Sequence, residues 1–222
     1  MFRSYFSFEC FVHLQALILL KVNELEMDSV MQALPKLNHL LTFTVDINQG
    51  EYIGAYLVNR LFKCICDHMP RLTALHIRNR EGLNTALTSI SSSSNVETLS
   101  IDLRGYLDLG ILDVFAPKVK TLTLSIKCAN NCDAVLLPKH TAFQYVTRLT
   151  LNTPPLDNFT VIRSYLTIFQ QLKRLKTSWT SVDANEWKDL TCDSLEIIQF
   201  NRIFTALDRN FYILNIRKYA KE

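Results

Sequence analysis

One pattern recurs eight times along this chain of 222 residues: an aliphatic residue, two spacers, a second aliphatic residue, one spacer and a third. Six copies are regular, namely Leu14-Leu17-Leu19, Leu72-Leu75-Ile77, Val96-Leu99-Ile101, Val119-Leu122-Leu124, Val146-Leu149-Leu151 and Leu195-Ile198-Phe200. Two depart from it: Leu37 is followed by Leu41 and Phe43 with one extra spacer, and Leu172 and Leu175 are followed by Thr177. The middle members fall at 17, 41, 75, 99, 122, 149, 175 and 198, in steps of 24, 34, 24, 23, 27, 26 and 23 residues. A period of this size is that of a solenoid, in which each unit is one supersecondary element stacked on the next. The last two aliphatics of a copy are two apart, so they point to one side of a strand and leave the spacers to the other.

Between the copies, apolar residues recur at three and four, the period of a helix. Met27, Val30, Met31 and Leu34 form one such stripe; Ile162, Tyr165, Leu166, Phe169 and Leu172 form another, within Phe159 to Leu172. The long second step predicts an extended helix from Glu51 to His68, with Ile53, Leu57, Leu61 and Ile65 in a stripe. Neither a strand nor a helix of this kind buries its apolar face alone, so stacked units must share one core. The expected fold class is therefore α/β: a horseshoe of about eight repeats, with a parallel sheet on the concave face and helices on the convex face. No domain boundary is expected, only an N-terminal cap at 1–12, repeats over 13–203, and a C-terminal cap and tail at 204–222. Apolar residues make up 48% of the chain, with 13 Phe and 8 Tyr, ample material for a continuous core.

On Val96-Glu97-Thr98-Leu99-Ser100-Ile101 and Val119-Lys120-Thr121-Leu122-Thr123-Leu124 the chain resembles the leucine-rich-repeat superfamily. The resemblance covers about residues 12 to 205. It departs where the family usually places an asparagine or cysteine, two spacers past the third aliphatic. Val22, Arg80, Arg104, Lys127, Pro154, Thr180 and Ile203 stand there in the seven regularly spaced copies. The array is thus expected to lack a side-chain ladder and to be irregular. Irregular arrays of this sort are similar to the substrate-binding portion of F-box leucine-rich-repeat proteins, which implies a substrate receptor of a ubiquitin ligase. No F-box is visible, because the first copy begins by about residue 12, so contact with a ligase adaptor would need a region outside this sequence.

The residues point to no reaction. There is no Gly-rich phosphate loop, no Gly-x-Ser-x-Gly and no His-Glu-x-x-His, and the chain has five glycines in all. No catalytic residue, cofactor or metal site is assigned, and the chain is read as a non-enzyme. Cys64 and His68 share a face of one helix but Cys66 faces elsewhere, and Cys128, Cys132 and His140 lack the second close pair a zinc site wants. Ser91 to Ser94 reads as a helix-to-strand turn, with phosphorylation as the alternative. The six cysteines are unevenly spread through a chain large enough to stabilise itself by burial, which suits reduced thiols and an intracellular location, cytoplasm or nucleus. The apolar stretch behind Arg3 lacks a small-residue cleavage site and is in register with later copies, so it reads as a first repeat. A net charge of +3 and the absence of a long apolar run argue against nucleic acid and membrane as partners.

What remains is the column of spacers facing outward from the sheet. From the third copy it includes His76, Arg78, Thr98, Ser100, Asp102, Thr121, Thr123, Ser125, Arg148, Thr150, Asn152, Arg174 and Lys176. Its centre is hydroxyl-rich. Its flanks are basic, His76 and Arg78 on one side and Arg148, Arg174 and Lys176 on the other, against Asp102 alone. Arginine pairs readily with carboxylate and phosphate, so the expected ligand is an acidic or phosphorylated protein segment. An ordinary strand face in which threonine merely suits the sheet is the competing reading. The expected function is a protein-binding module; the alternatives are a structural repeat of a larger scaffold or receptor, and an enzyme whose site is not recognised.

Overall fold

The computed structural model describes residues 8–47, 55–79, 92–103, 109–126, 143–152, 167–177, 195–201 and 211–215. It is an α/β structure built on one nine-stranded sheet whose strand order is the order of the chain. The strands are β1 (Ala16–Val22), β2 (Thr42–Ile47), β3 (Ala74–Asn79), β4 (Thr98–Leu103), β5 (Thr121–Ile126), β6 (Arg148–Asn152), β7 (Arg174–Thr177), β8 (Ile197–Asn201) and β9 (Phe211–Asn215). Neighbours from β1 to β8 pair in parallel. The last strand, β9, runs antiparallel to β8, an addition that the eightfold pattern does not announce. Parallel strands in chain order, with helices between several of them, are compatible with a solenoid-like stack.

A backbone device recurs at every parallel step. The carbonyl oxygen of the residue just before one strand accepts the N–H groups of two consecutive residues at the start of the next. The acceptors are Gln15, Leu41, Thr73, Glu97, Lys120, Thr147 and Lys173, with distances of 2.8 to 3.1 Å. Most units also enter their strand through a tight turn, as in Leu40 N–H to Leu37 O, Leu72 N–H to Met69 O and Val119 N–H to Ala116 O.

These bonds correct the register of the second copy. Leu17 pairs with Phe43 and Phe43 with Leu75, so the copy is Leu40, Phe43 and Val45, fully regular, rather than Leu37, Leu41 and Phe43. Middle members at 17, 43 and 75 give steps of 26 and 32. Leu40, Phe43 and Val45 are buried, whereas Leu41 is 39% exposed. Alternation could not decide this, because a slip of two residues leaves every side chain on its expected face. The turn fixes the origin that the periodicity lacks.

The inward residues Phe43, Val45, Ile47, Leu75, Ile77, Leu99, Ile101, Leu122, Leu124, Leu149, Leu151 and Leu175 belong to one buried cluster. The helices cover it. Helix α1 (Glu24–Ala33) contributes Met27, Val30 and Met31. It starts at Asn23, whose side chain accepts from Glu26 N–H at 2.9 Å while Glu26 accepts from Asn23 N–H at 3.0 Å. This reciprocal cap satisfies two donors that a helix start otherwise leaves open, and is worth about 1 kcal/mol. Helix α2 (Ala55–His68) buries Leu57, Val58, Leu61, Phe62 and Ile65. The expected helix start at Glu51 lies outside the described residues. Helix α3 (Leu109–Phe115) buries Leu112 and Phe115. Phe62 and Phe115 stack with centroids 4.0 Å apart, and Arg60 of α2 pairs with Asp28 of α1 at 2.6 Å. The helix expected over Phe159 to Leu172 falls mostly outside the described residues, although Ile168, Phe169 and Leu172 are buried.

Strand β1 ends in a local irregularity. Lys21 has φ of 56°, and the pairing with β2 shifts between Leu19 and Val22. In an unbroken strand Lys21 would share the inward side with Leu17 and Leu19. The left-handed residue instead leaves the Lys21 side chain exposed and sends Val22 into the core, at a conformational cost of roughly 1–2 kcal/mol.

Two substitutions test this register. Phe43→Ala should cost about 3–5 kcal/mol and Leu41→Ala less than about 1 kcal/mol in urea denaturation; equal costs would restore the slipped register. Leu122 and Leu124 are fully buried in β5. Leu122→Ala should cost about 2–5 kcal/mol in the same assay.

Candidate functional site

Strand pairing arranges the outward residues in rows running across the sheet. The first row reads Ala16, Thr42, Ala74, Thr98, Thr121, Arg148, Arg174 and Ile197. The second reads Ile18, Thr44, His76, Ser100, Thr123, Thr150, Lys176 and Gln199. A third, less continuous row aligns Asp46 with Arg78, and Asp102 with Ser125 and Asn152. The described residues expected on the outward column thus lie on one side of one sheet; Ser178, the next alternate position after Lys176, lies outside the described residues.

The rows change character from one end to the other. Arg148 and Arg174 are directly paired and exposed, and Lys176 follows on the same strand as Arg174. Adjacent strands stand about 4.8 Å apart, so three cations share a small area. The centre is made of Thr98, Ser100, Thr121, Thr123, Ser125 and Thr150, all half-buried. Asn152 donates its amide to Ser125 Oγ at 3.2 Å, which fixes two of these polar side chains.

The other flank carries acids as well as bases. Asp46 stands opposite Arg78 in the β2–β3 pairing, and the Asp102 carboxylate accepts the backbone N–H of Asn79, beside Arg78, at 3.3 Å. Arg78 is therefore bracketed by acids. Burial, and secondarily the nearby Arg78 charge, hold the His76 imidazole below its ordinary value of 6.5, which favours a neutral ring at pH 7. His76 and Arg78 thus share their end of the face with Asp46 and Asp102, whereas Arg148, Arg174 and Lys176 cluster at β6 and β7.

Beyond His76 and Arg78, the face includes residues outside the expected set. Ala16, Ile18, Leu20, Thr42, Thr44 and Asp46 continue the rows onto β1 and β2. Ile18 and Leu20 are 63% and 65% exposed, so this end of the face is apolar. Their signal was the same alternation that runs through the later copies.

Cys64 and Cys66 are half-buried and tied to neighbouring backbone. Cys64 Sγ donates to Met31 O at 3.6 Å and Cys66 Sγ to Ser92 O at 3.3 Å. Burial above all pushes both thiols up from 9.0; nearby Asp67 also raises them, while Arg60 lowers Cys64 and the Ser92 side chain lowers Cys66. His13 and His39 are 5.4 Å apart, but Arg71 Nη1 lies 2.8 Å from His39 Nδ1. Arginine carries no acceptor, so that nitrogen must accept from it and is occupied. Among the described residues no group of three or more His, Cys, Asp or Glu is placed to hold a metal. Cys128, Cys132 and His140 lie outside the described residues. Ser94 is buried and donates its hydroxyl to Phe115 O at 2.7 Å, so within the serine run it anchors the turn rather than offering a modification site.

No protein family, curated protein or solved structure matches the chain. Among the described residues no helix is long and apolar enough to cross a membrane.

His76 gives a signed pH test. Its imidazole is held low in the fold, so its contribution to stability is complete above the unfolded value of about 6.5 and is lost as pH falls through the lower folded one. The urea midpoint of wild type should fall more between pH 7.5 and 5 than that of His76→Gln. Parallel curves for the two proteins would show that the ring is not coupled to folding.

Proposed function

We propose that the chain is an irregular leucine-rich-repeat solenoid of eight units that binds a protein segment on the open, concave face of its sheet. Support for the repeat reading comes from eight parallel strands in chain order, most entered through the same aliphatic turn and pairing step. Support for the binding reading rests on one observation: Arg148, Arg174 and Lys176 sit side by side on adjacent strands, beside half-buried hydroxyls. Like charges this close repel unless water or an anionic partner screens them. Their planar, multiply donating guanidinium groups suit carboxylate or phosphate. The partner is therefore an acidic or phosphorylated protein segment, and the module works by holding it rather than transforming it. Service as the substrate receptor of a ubiquitin ligase is the specific form of this proposal, with an adaptor reached through a region outside this sequence.

Affinity purification with the full chain, followed by calorimetry at low and high salt, tests the reading. Replacing Arg148, Arg174 and Lys176 together with Ser should leave the urea midpoint nearly unchanged, because two of the three side chains are exposed and the third is half-buried. Binding of the recovered partner should weaken by about threefold to 150-fold at low salt, since exposed ion pairs are worth roughly 0.2–1 kcal/mol each. The difference should shrink at high salt as the charges are screened. Unchanged affinity in the triple variant would return this face to an ordinary strand surface. Recovery of a cullin-ligase adaptor in the purification would favour the ligase form.

A further inference from the structure

The outward face is polarised along its second row, and that polarity constrains what can lie on it. The row begins with Ile18 at β1, passes through Thr44, His76, Ser100, Thr123 and Thr150, and reaches Lys176 at β7. Arg148 and Arg174 stand beside its far end in the first row. Ile18 and Leu20 are among the most exposed large apolar side chains described, and both project from the same face as the cations. Between the two ends the row offers hydroxyls and one imidazole that favours its neutral form, groups that can both donate and accept hydrogen bonds with an extended backbone. Asp46 and Asp102 stand in the third row towards the β1 side, where they repel an anion and leave β6–β7 as the favourable place for one.

We infer that the partner segment is bipartite: an extended peptide laid across the strands, with an apolar anchor over Ile18 and Leu20 and an acidic or phosphorylated residue over Arg148, Arg174 and Lys176. This rests on the peptide-binding reading above and adds to it a second anchor and a length. From β1 to β6 there are five strand intervals and to β7 six. At about 4.8 Å per interval that is roughly 24–29 Å, which an extended chain rising about 3.3 Å per residue covers in seven to nine residues. Charge complementarity fixes which end of the face takes the anion, and the exposed isoleucine and leucine fix the chemistry of the other end.

The test uses synthetic fluorescein-labelled peptides carrying a Leu-Phe pair and a phosphoserine separated by four or eight Gly, Ser and Asn residues, made in both chain directions. A parallel set replaces phosphoserine with two aspartates, which separates a phosphate-specific site from a general carboxylate site. Anisotropy with the full chain should show the eight-residue spacing binding at least tenfold tighter than the four-residue spacing in one direction, because only the longer peptide engages both anchors. Ile18→Ser should abolish that advantage while leaving the four-residue peptide unchanged; Leu20→Ser provides an independent variant should Ile18→Ser alter the urea midpoint. Equal affinity of the two spacings, or an advantage that survives both variants, overturns the bipartite inference and leaves the anion-binding reading standing. Absence of binding by every phosphoserine and aspartate peptide overturns that reading, and this inference with it.

Discussion

Each strand of this sheet is set by a carbonyl oxygen that accepts two consecutive N–H groups from the next unit. The device occurs at all seven parallel steps, at residues as different as Gln15, Leu41, Thr73, Glu97, Lys120, Thr147 and Lys173. A carbonyl has two lone pairs, so one backbone atom satisfies two donors at the strand entrance, where the ladder has not yet begun. Register follows from it. With the entrance of each strand tied to the entrance of the previous one, Leu17, Phe43, Leu75, Leu99, Leu122, Leu149 and Leu175 align in a single inward row. The core is then a consequence of stacking rather than of any one unit's composition.

The same alignment sorts the outward side chains by chemistry. Because neighbours in a parallel sheet pair residue to residue, a substitution pattern that looks scattered in the chain becomes a surface with an apolar end, a hydroxyl centre and a cationic end. Arg148 and Arg174 are separated by 26 positions in sequence yet directly paired in space. Lys21 at the margin of the apolar end shows how closely the two faces are kept apart. A left-handed residue is accepted there, and in consequence an ammonium group stays in water while Val22 enters the core.

The units are joined by backbone more regularly than by side chains. Two spacers past the third aliphatic of each copy stand Val22, Arg80 and other residues rather than one recurring side chain. Backbone atoms link the units at the strand entrances. Side-chain links between units differ in kind from step to step, among them the Arg60–Asp28 pair, the Glu97–Lys120 pair, the Asn152–Ser125 bond and the Phe62–Phe115 stack. Such links vary from unit to unit, which suits an array whose steps are unequal.

Much of this was legible from the residues. The aliphatic spacing established the strands, their inward faces and the helical stripe of Met27, Val30 and Met31, because burial demands apolar side chains at the period of each element. It also placed Arg148, Arg174 and Lys176 on a common face. Three things were not legible, each for a physical reason. The register of the second copy hid because Leu41 and Phe43 have the same parity, and only the turn bonding Leu40 N–H to Leu37 O decides between them. The strand β9 hid because an antiparallel addition follows no repeat. The pairing of Arg78 with an acid hid because Asp46 is 32 residues away in sequence and becomes adjacent only through strand pairing. The residues alone dictate the spacing of the side chains that leave water; which of them align, and which outward ones meet, follows only from where backbone hydrogen bonds start each strand.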